Sequence, residues 1–327
     1  MLTFDDENEN PHIEGMRKPR FGRVKPTTAF YATDKVYQLL DLLYQFRALR
    51  TSHIQMLTGR EPSSLAWSLK NLMNHGYIDK AEKIKEERNL YRCDVYEITP
   101  KGLKLLEHRD LPYRYVLKSG ELGMAFYTEF NHSMMVVDLL ANLKAGADRH
   151  GIRMISCEEI AEHLEDKRPF EFSATYAYET SEIRKKQSVQ VKPDGFFGFE
   201  YPDKRRAYFA IEAEHKNPNN PDTDHRATTR ASTKKKFLVY RDIKATGSYK
   251  KLGISNMRVL IVAPTPTKIK NKFAVGEAIV DESHLFLGHW LPVGGNPKPL
   301  PELIDAPWLR IGLEPESLNG TVERPGP

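Results

Sequence analysis

Eight consecutive residues, Ala207-Tyr208-Phe209-Ala210-Ile211-Glu212-Ala213-Glu214, alternate with a period of two, the pattern of an extended strand. Residues two apart share a face. Phe209, Ile211 and Ala213 are therefore expected on one side, and Glu212, Glu214 and the nearby Lys216 on the other. Upstream, Val189-Gln190-Val191-Lys192 reads as a second short strand that runs into the turn Pro193-Asp194-Gly195. Were the two strands neighbours, Asp194 and Glu214 would meet. Carboxylates are hard oxygen ligands suited to Mg²⁺, and an ammonium beside them can orient a water and offset charge growing on a phosphoryl group. The expected metal set is Asp194, Glu214 and Glu212, and the expected catalytic set is Asp194, Glu214 and Lys216. The plain alternative is a common Pro-Asp-Gly turn followed by a solvated, glutamate-rich strand end.

The flanking pattern adds weight. A helix is predicted over Phe130 to Lys144, with Val136, Leu139, Leu140 and Leu143 apolar, and then a short strand over Ile152 to Cys157. After Lys216 come a polar loop, a helix from about Arg226 to Ala245, and the apolar strand Arg258 to Ala263. This order, with an acidic turn and a strand ending in Glu-x-Lys, resembles metal-dependent nucleases of the PD-(D/E)xK type. In that fold the helix after the acidic strand often lends a Lys, Gln or Tyr to the site. The resemblance implies that role for Lys234, Lys235 or Tyr240, and a further acidic ligand in Glu129, near His132. Glu129 equally suits a plain charge at a helix N-terminus. The helix itself is basic. Nine Lys or Arg against two Asp lie between Asp224 and Lys251, and Arg226, Arg230, Lys234, Arg241 and Lys244 fall on one stripe that also contains Phe237. The stripe is either a phosphate track or a solvated face.

The first third of the chain has a separate pattern. A helix follows Thr33-Asp34, with Val36, Leu39, Leu40, Leu43 and Phe46 on one side. A second, short helix runs from Ser52 to Leu57, and a third runs from Pro62 to Asn74 or His75 before Gly76. Two strand-like runs, Tyr77 to Ile84 and Tyr91 to Thr99, lead to a closing helix after Thr99-Pro100. Three helices, a hairpin and a closing helix resemble winged helix-turn-helix regulators, in which the third helix enters the major groove. Leu65, Leu69, Leu72 and Met73 form its expected buried stripe. Ser63, Ser64, Trp67, Lys70, Asn71 and Asn74 are its expected DNA-facing residues, with Lys85 and Arg88 on the wing. Trp67 also suits a contact with another domain or subunit.

The expected fold is thus mixed α+β or α/β. A flexible basic arm spans residues 1–30, a winged helix-turn-helix residues 31–115, a nuclease-like αβ domain residues 122–290, and a Pro/Gly-rich tail residues 291–327. A net charge of +5 permits a nucleic-acid partner without requiring one. Two distant cysteines argue against a zinc site or disulfide framework and suit a reducing cytoplasm. No run of about 18 apolar residues predicts a membrane span. The helix from Phe130-Asn131-His132 to Asp138-Leu139-Leu140, then Pro193-Asp194-Gly195, then Phe209 to Glu214, resemble the replication-relaxation family of plasmid and mobile-element proteins over roughly residues 33–290. That resemblance implies sequence-specific binding of double-stranded DNA in replication, mobilisation or transcription, with a homodimer expected. A Mg²⁺-dependent endonuclease and a protein-interaction adaptor stand as alternatives.

Overall fold

The computed structural model describes residues 24, 26, 29–81, 93–107, 130–166, 168–179, 184–214, 233–280 and 283–320. The expected arm falls almost wholly outside these residues, as do Glu129, Lys216, Lys85, Arg88, Arg226 and Arg230. The chain forms two compact units. Unit 1 is Met1–Leu111 with Gly294–Pro299, and unit 2 is Pro112–Val293 with Leu300–Pro327.

Unit 1 holds α1 (Asp34–Phe46), β1 (Ala48–Arg50), α2 (Thr51–Thr58), α3 (Pro62–Asn74), β2 (Ile78–Lys80), β3 (Val95–Ile98) and α4 (Pro100–Glu107). The expected apolar spacing sets the packing. Leu39, Leu40 and Leu43 of α1, Ile54 of α2 and Leu65, Leu69 and Leu72 of α3 are all buried. Met73, expected in that stripe, is only half-buried. Strand β1 was not anticipated. It pairs antiparallel with β3, which also pairs with β2, in a three-stranded sheet ordered β1-β3-β2. Three residues between two helices are too short for alternation to show.

Unit 2 contains α5 (Phe130–Arg149), β4 (Arg153–Ile155), α6 (Cys157–Ala161), β5 (Phe172–Glu179), β6 (Arg184–Val191), β7 (Gly195–Glu200), β8 (Arg206–Ala213), α7 (Thr233–Thr246), β9 (Arg258–Ala263), α8 (Pro266–Glu277), β10 (Ser283–Trp290) and β11 (Leu309–Ile311). Six strands form one sheet in the order β11-β10-β9-β8-β7-β4, and β5 and β6 form a separate two-stranded ribbon. Within the sheet β8, β9 and β10 run parallel and the other pairings are antiparallel. The two faces carry separate apolar clusters. Phe237, Tyr240 and Ile243 of α7 and Phe273 of α8 pack with Ala210, Val259 and Phe286 on one face. Met135, Leu139 and Leu143 of α5 pack with Phe197, Phe209 and Ile211 on the other. Burial on both faces explains the near-continuous apolar run Val259 to Ala263.

The Pro/Gly-rich stretch, expected to wrap the surface or stay mobile, is described through residue 320, and its residues divide between the two units. In unit 1, the fully buried Arg50 donates from Nη1 to the carbonyl of Pro297 at 2.6 Å. In unit 2, a 3₁₀ turn, Pro301–Ile304, lies on α5 where Gly146 leaves room. A Cβ at Gly146 would stand 2.2 Å from the Pro301 carbonyl oxygen. Leu303, Ile304, Trp308 and Leu318 join the α5 cluster. Their irregular spacing gave no periodic signal because they bury from a 3₁₀ turn and short bridges rather than from one long element. Among the described residues no helix is long and apolar enough to cross a membrane.

Candidate functional site

The carboxylates predicted from sequence gather at the end of β8, held by its neighbours on either side. Asp194 directly precedes β7, whose first residue, Gly195, pairs with Ile211 of β8. The Asp194 amide donates to the Ile211 carbonyl at 2.9 Å, and one carboxylate oxygen accepts from the Ala213 amide at 2.8 Å. Its other oxygen lies 3.0 Å from Nε2 of His132, near the start of α5. The Pro-Asp-Gly turn thus points its acid along the end of the neighbouring strand.

Glu212 lies on β8 with 4% of its surface exposed. Glu214 falls one residue beyond the strand, and its amide extends the ladder by donating to the Val262 carbonyl at 2.8 Å. The side chains share a direction, as the period of two required, because both reach Lys236 from α7. Its Nζ lies 2.5 Å from a Glu212 oxygen and 2.6 Å from a Glu214 oxygen. The second Glu212 oxygen accepts from the Tyr240 hydroxyl at 2.5 Å. The second Glu214 oxygen accepts from Lys272 of α8 at 2.9 Å, and Lys272 also donates to Thr233 Oγ1 at 2.9 Å. Lys236 and Tyr240 are four apart on α7, so one helical face supplies both donors to Glu212.

Burial and charge compete here. Burial pushes the Glu212 carboxyl above the usual range, against the opposing pull of Lys236. Burial acts upward on Glu214 as well, but the charges of Lys236 and Lys272 outweigh it and hold the group below its ordinary value. Lys236 is the mirror case. Burial would lower it, but Glu212, Glu214 and Asp194 together carry it above the usual lysine value. Tyr240 is pushed well up by burial and then by the adjacent Glu212. The Asp194 charge acts on Glu212, Lys236 and Tyr240 alike, so the three acids and the α7 face form one electrostatic unit.

Three carboxylates at one point are the right chemistry for a hard divalent cation. The arrangement does not fit one. All six carboxylate oxygens of Asp194, Glu212 and Glu214 already have a partner, and three of the six partners are ammonium contacts. Among the described residues no group of three or more His, Cys, Asp or Glu is placed to hold a metal ion.

Of the helix donors anticipated, Tyr240 reaches the acids. The lysine that does so is Lys236 rather than Lys234 or Lys235, and Lys272 was not anticipated at all. In sequence Lys236 is hidden in the run Lys234-Lys235-Lys236, where the face of each residue depends on the helix's rotation on the sheet. Lys234 is half-buried in the first turn of α7. The proposed basic stripe is interrupted, because Phe237 is fully buried in the core while Arg241 and Lys244 are exposed.

In unit 1, Ser63, Ser64, Trp67 and Lys70 of α3 are exposed, Trp67 to 70%, and Asn71 and Asn74 are half-buried. The Asn74 carboxamide oxygen accepts from the Val24 amide at 3.3 Å, so that oxygen is engaged.

A family model described as replication-relaxation matches residues 40–255, about two thirds of the chain. No curated protein and no solved structure matches. The match begins within α1, takes in α3, and runs through the acidic turn, β8 and α7, so it spans both the helical face of unit 1 and the carboxylate cluster of unit 2. The chain belongs to the replication-relaxation family.

Proposed function

We propose that this protein binds double-stranded DNA sequence-specifically and acts in the replication or mobilisation of a plasmid or other mobile element. In this reading unit 1 is a winged-helix module and unit 2 a nuclease-like frame used for binding or dimerisation rather than for cutting. The observation that carries it is α3. One face is packed through Leu65, Leu69 and Leu72, and the opposite face presents Ser63, Ser64, Trp67 and Lys70 to solvent, with Asn71 half-buried at its edge. A polar helical face of this width suits the major groove, where Asn reads adenine and Lys reaches guanine or phosphate. The element order α1-α2-α3 followed by β2, β3 and α4 supports the winged-helix reading, and α5-β7-β8-α7-β9 supports the nuclease-like one. Family membership supports a role in replication or mobilisation.

Selection of bound duplexes from a random-sequence pool tests this directly. The expected result is enrichment of one motif by the full chain, with affinity falling steeply as salt rises. Asn71→Ala should relax preference at one position at a cost of about 1–3 kcal/mol. Failure to enrich any motif, together with salt-insensitive or undetectable binding, overturns the proposal and favours the adaptor reading. Light scattering of the purified chain tests the proposed homodimer.

A further inference from the structure

We propose that Lys236 is a built-in counter-ion standing in the position a divalent cation would take between the carboxylates, which makes the acidic cluster of unit 2 independent of a metal ion. The argument rests on coordination. Mg²⁺ needs oxygen ligands at about 2.0–2.1 Å with near-octahedral geometry, usually one or two carboxylates completed by water and phosphate oxygens. Glu212 and Glu214 each present one oxygen to the same point, and the atom at that point is Lys236 Nζ, at 2.5 and 2.6 Å. The outer oxygens are capped as well, Glu212 by Tyr240 and Glu214 by Lys272. Asp194, the remaining acid, is spanned by the Ala213 amide and His132.

A lysine serving phosphoryl chemistry leaves carboxylate oxygens open for the metal and directs its own charge at the phosphate. Here the ammonium lies between the two carboxylates. A cation entering the cluster would have to displace Lys236 from both glutamates and would then meet a displaced like charge. Lys272 reinforces the same state, since it is 9% exposed and anchored to Glu214 and Thr233. Three acids face the two ammonium groups of Lys236 and Lys272, so the protein's own lysines offset most of the charge a metal would otherwise offset. The cluster also ties β8 to α7 and α8 without an ion. This inference concerns unit 2 alone, and its outcome is independent of whether α3 binds DNA.

Mn²⁺ serves as the probe, read by electron paramagnetic resonance and by melting temperature with and without chelator. The full chain should leave the spectrum of free Mn²⁺ unchanged and melt at the same temperature in chelator and in millimolar Mn²⁺. Lys236→Met removes the charge at similar length. It should melt lower in chelator, recover with Mn²⁺, and bind one Mn²⁺ more than about tenfold tighter than the wild type. A wild-type chain that binds one Mn²⁺, with the signal lost in Asp194→Asn, overturns the proposal. A folded Lys236→Met that binds none also overturns it. Should that variant not fold, the wild-type spectrum decides alone. In that case a free-ion signal from the wild-type chain across the titration supports the proposal, and a bound signal refutes it.

Discussion

Replacing Tyr240 by Phe isolates the hydrogen bond that closes the carboxylate cluster. The Tyr240 ring is fully buried on α7, and Phe keeps its volume, so no cavity term enters. What is lost is a hydroxyl donating at 2.5 Å to Glu212, a residue with 4% of its surface exposed. A hydrogen bond to a charged acceptor contributes about 1.5–3 kcal/mol, and the orphaned oxygen has almost no water to turn to. With a urea dependence of about 2–3 kcal/mol/M for a unit of this size, the midpoint should fall by about 0.5–1.5 M. Trp290 and Trp308 report on unit 2, and Trp308 is fully buried. Trp67 belongs to unit 1 and is 70% exposed, so a Trp67→Phe background removes its signal at little structural cost. Repeating Tyr240→Phe in a Glu212→Gln chain should shrink the loss to the neutral-bond range of about 0.5–1.5 kcal/mol, because the acceptor no longer carries charge. A Tyr240→Phe midpoint equal to wild type, or an unchanged loss in the Glu212→Gln background, refutes the picture of a charge-assisted bond.

Other expectations follow from the same packing and charges. His53 is buried beside Arg50, and burial, with the Arg50 charge second, lowers its pKa well below the usual 6.5. The unfolded chain therefore binds a proton that the folded one refuses, so the His53 contribution is present above about pH 6.5 and is lost on acidification, at up to about 1.4 kcal/mol per pH unit. Urea midpoints of unit 1, followed through Trp67, should fall between about pH 7 and about pH 5, and His53→Gln should flatten that slope. Gly288→Ala should destabilise unit 2 by about 1–3 kcal/mol, since the new methyl would stand 2.2 Å from a ring carbon of the buried Phe273. Thermal unfolding measures this, and an unchanged melting temperature would mean that Phe273 yields freely. Trp308→Ala should cost about 3–5 kcal/mol by emptying a fully buried site and removing its 3.0 Å bond to the Leu303 carbonyl. A loss below about 1 kcal/mol, within the range of a surface change, would show the segment around Trp308 to be dispensable.

Much of the scaffold was readable from periodicity. The apolar faces of α1 and α3 were long enough to declare themselves, as were the Pro and Gly residues that bound α3. The strand Arg258–Ala263 was legible because both its faces are buried, and the alternation before Glu214 put Glu212 and Glu214 on one side. Strands β1 and β11 were too short to show a pattern. Most of the β5–β6 ribbon went unrecognised because its polar face, Ser173, Thr175, Ser188 and Gln190, dilutes the apolar alternation of Phe172, Ala174 and Tyr176. The Pro/Gly-rich stretch after Trp290 gave no periodic signal because its anchors, Leu303, Ile304 and Trp308, bury without a repeat.

The sequence by itself put Glu212 and Glu214 on one side, because a strand's period of two is a local property. It made their meeting with Asp194 depend on residues 189–192 lying beside the acidic strand, whereas β6 pairs with β5 and it is β7, directly after Asp194, that neighbours β8. It also named the helical face of unit 1 by the spacing of three leucines. Only the tertiary structure decided what the acids face. Lys236, Tyr240 and Lys272 lie 22 or more residues from Glu214 along the chain, on helices whose rotation is set by the burial of Phe237 and Phe273 in the sheet-facing core. That rotation turned an expected metal cradle into a cluster whose oxygens are all taken by the protein's own donors.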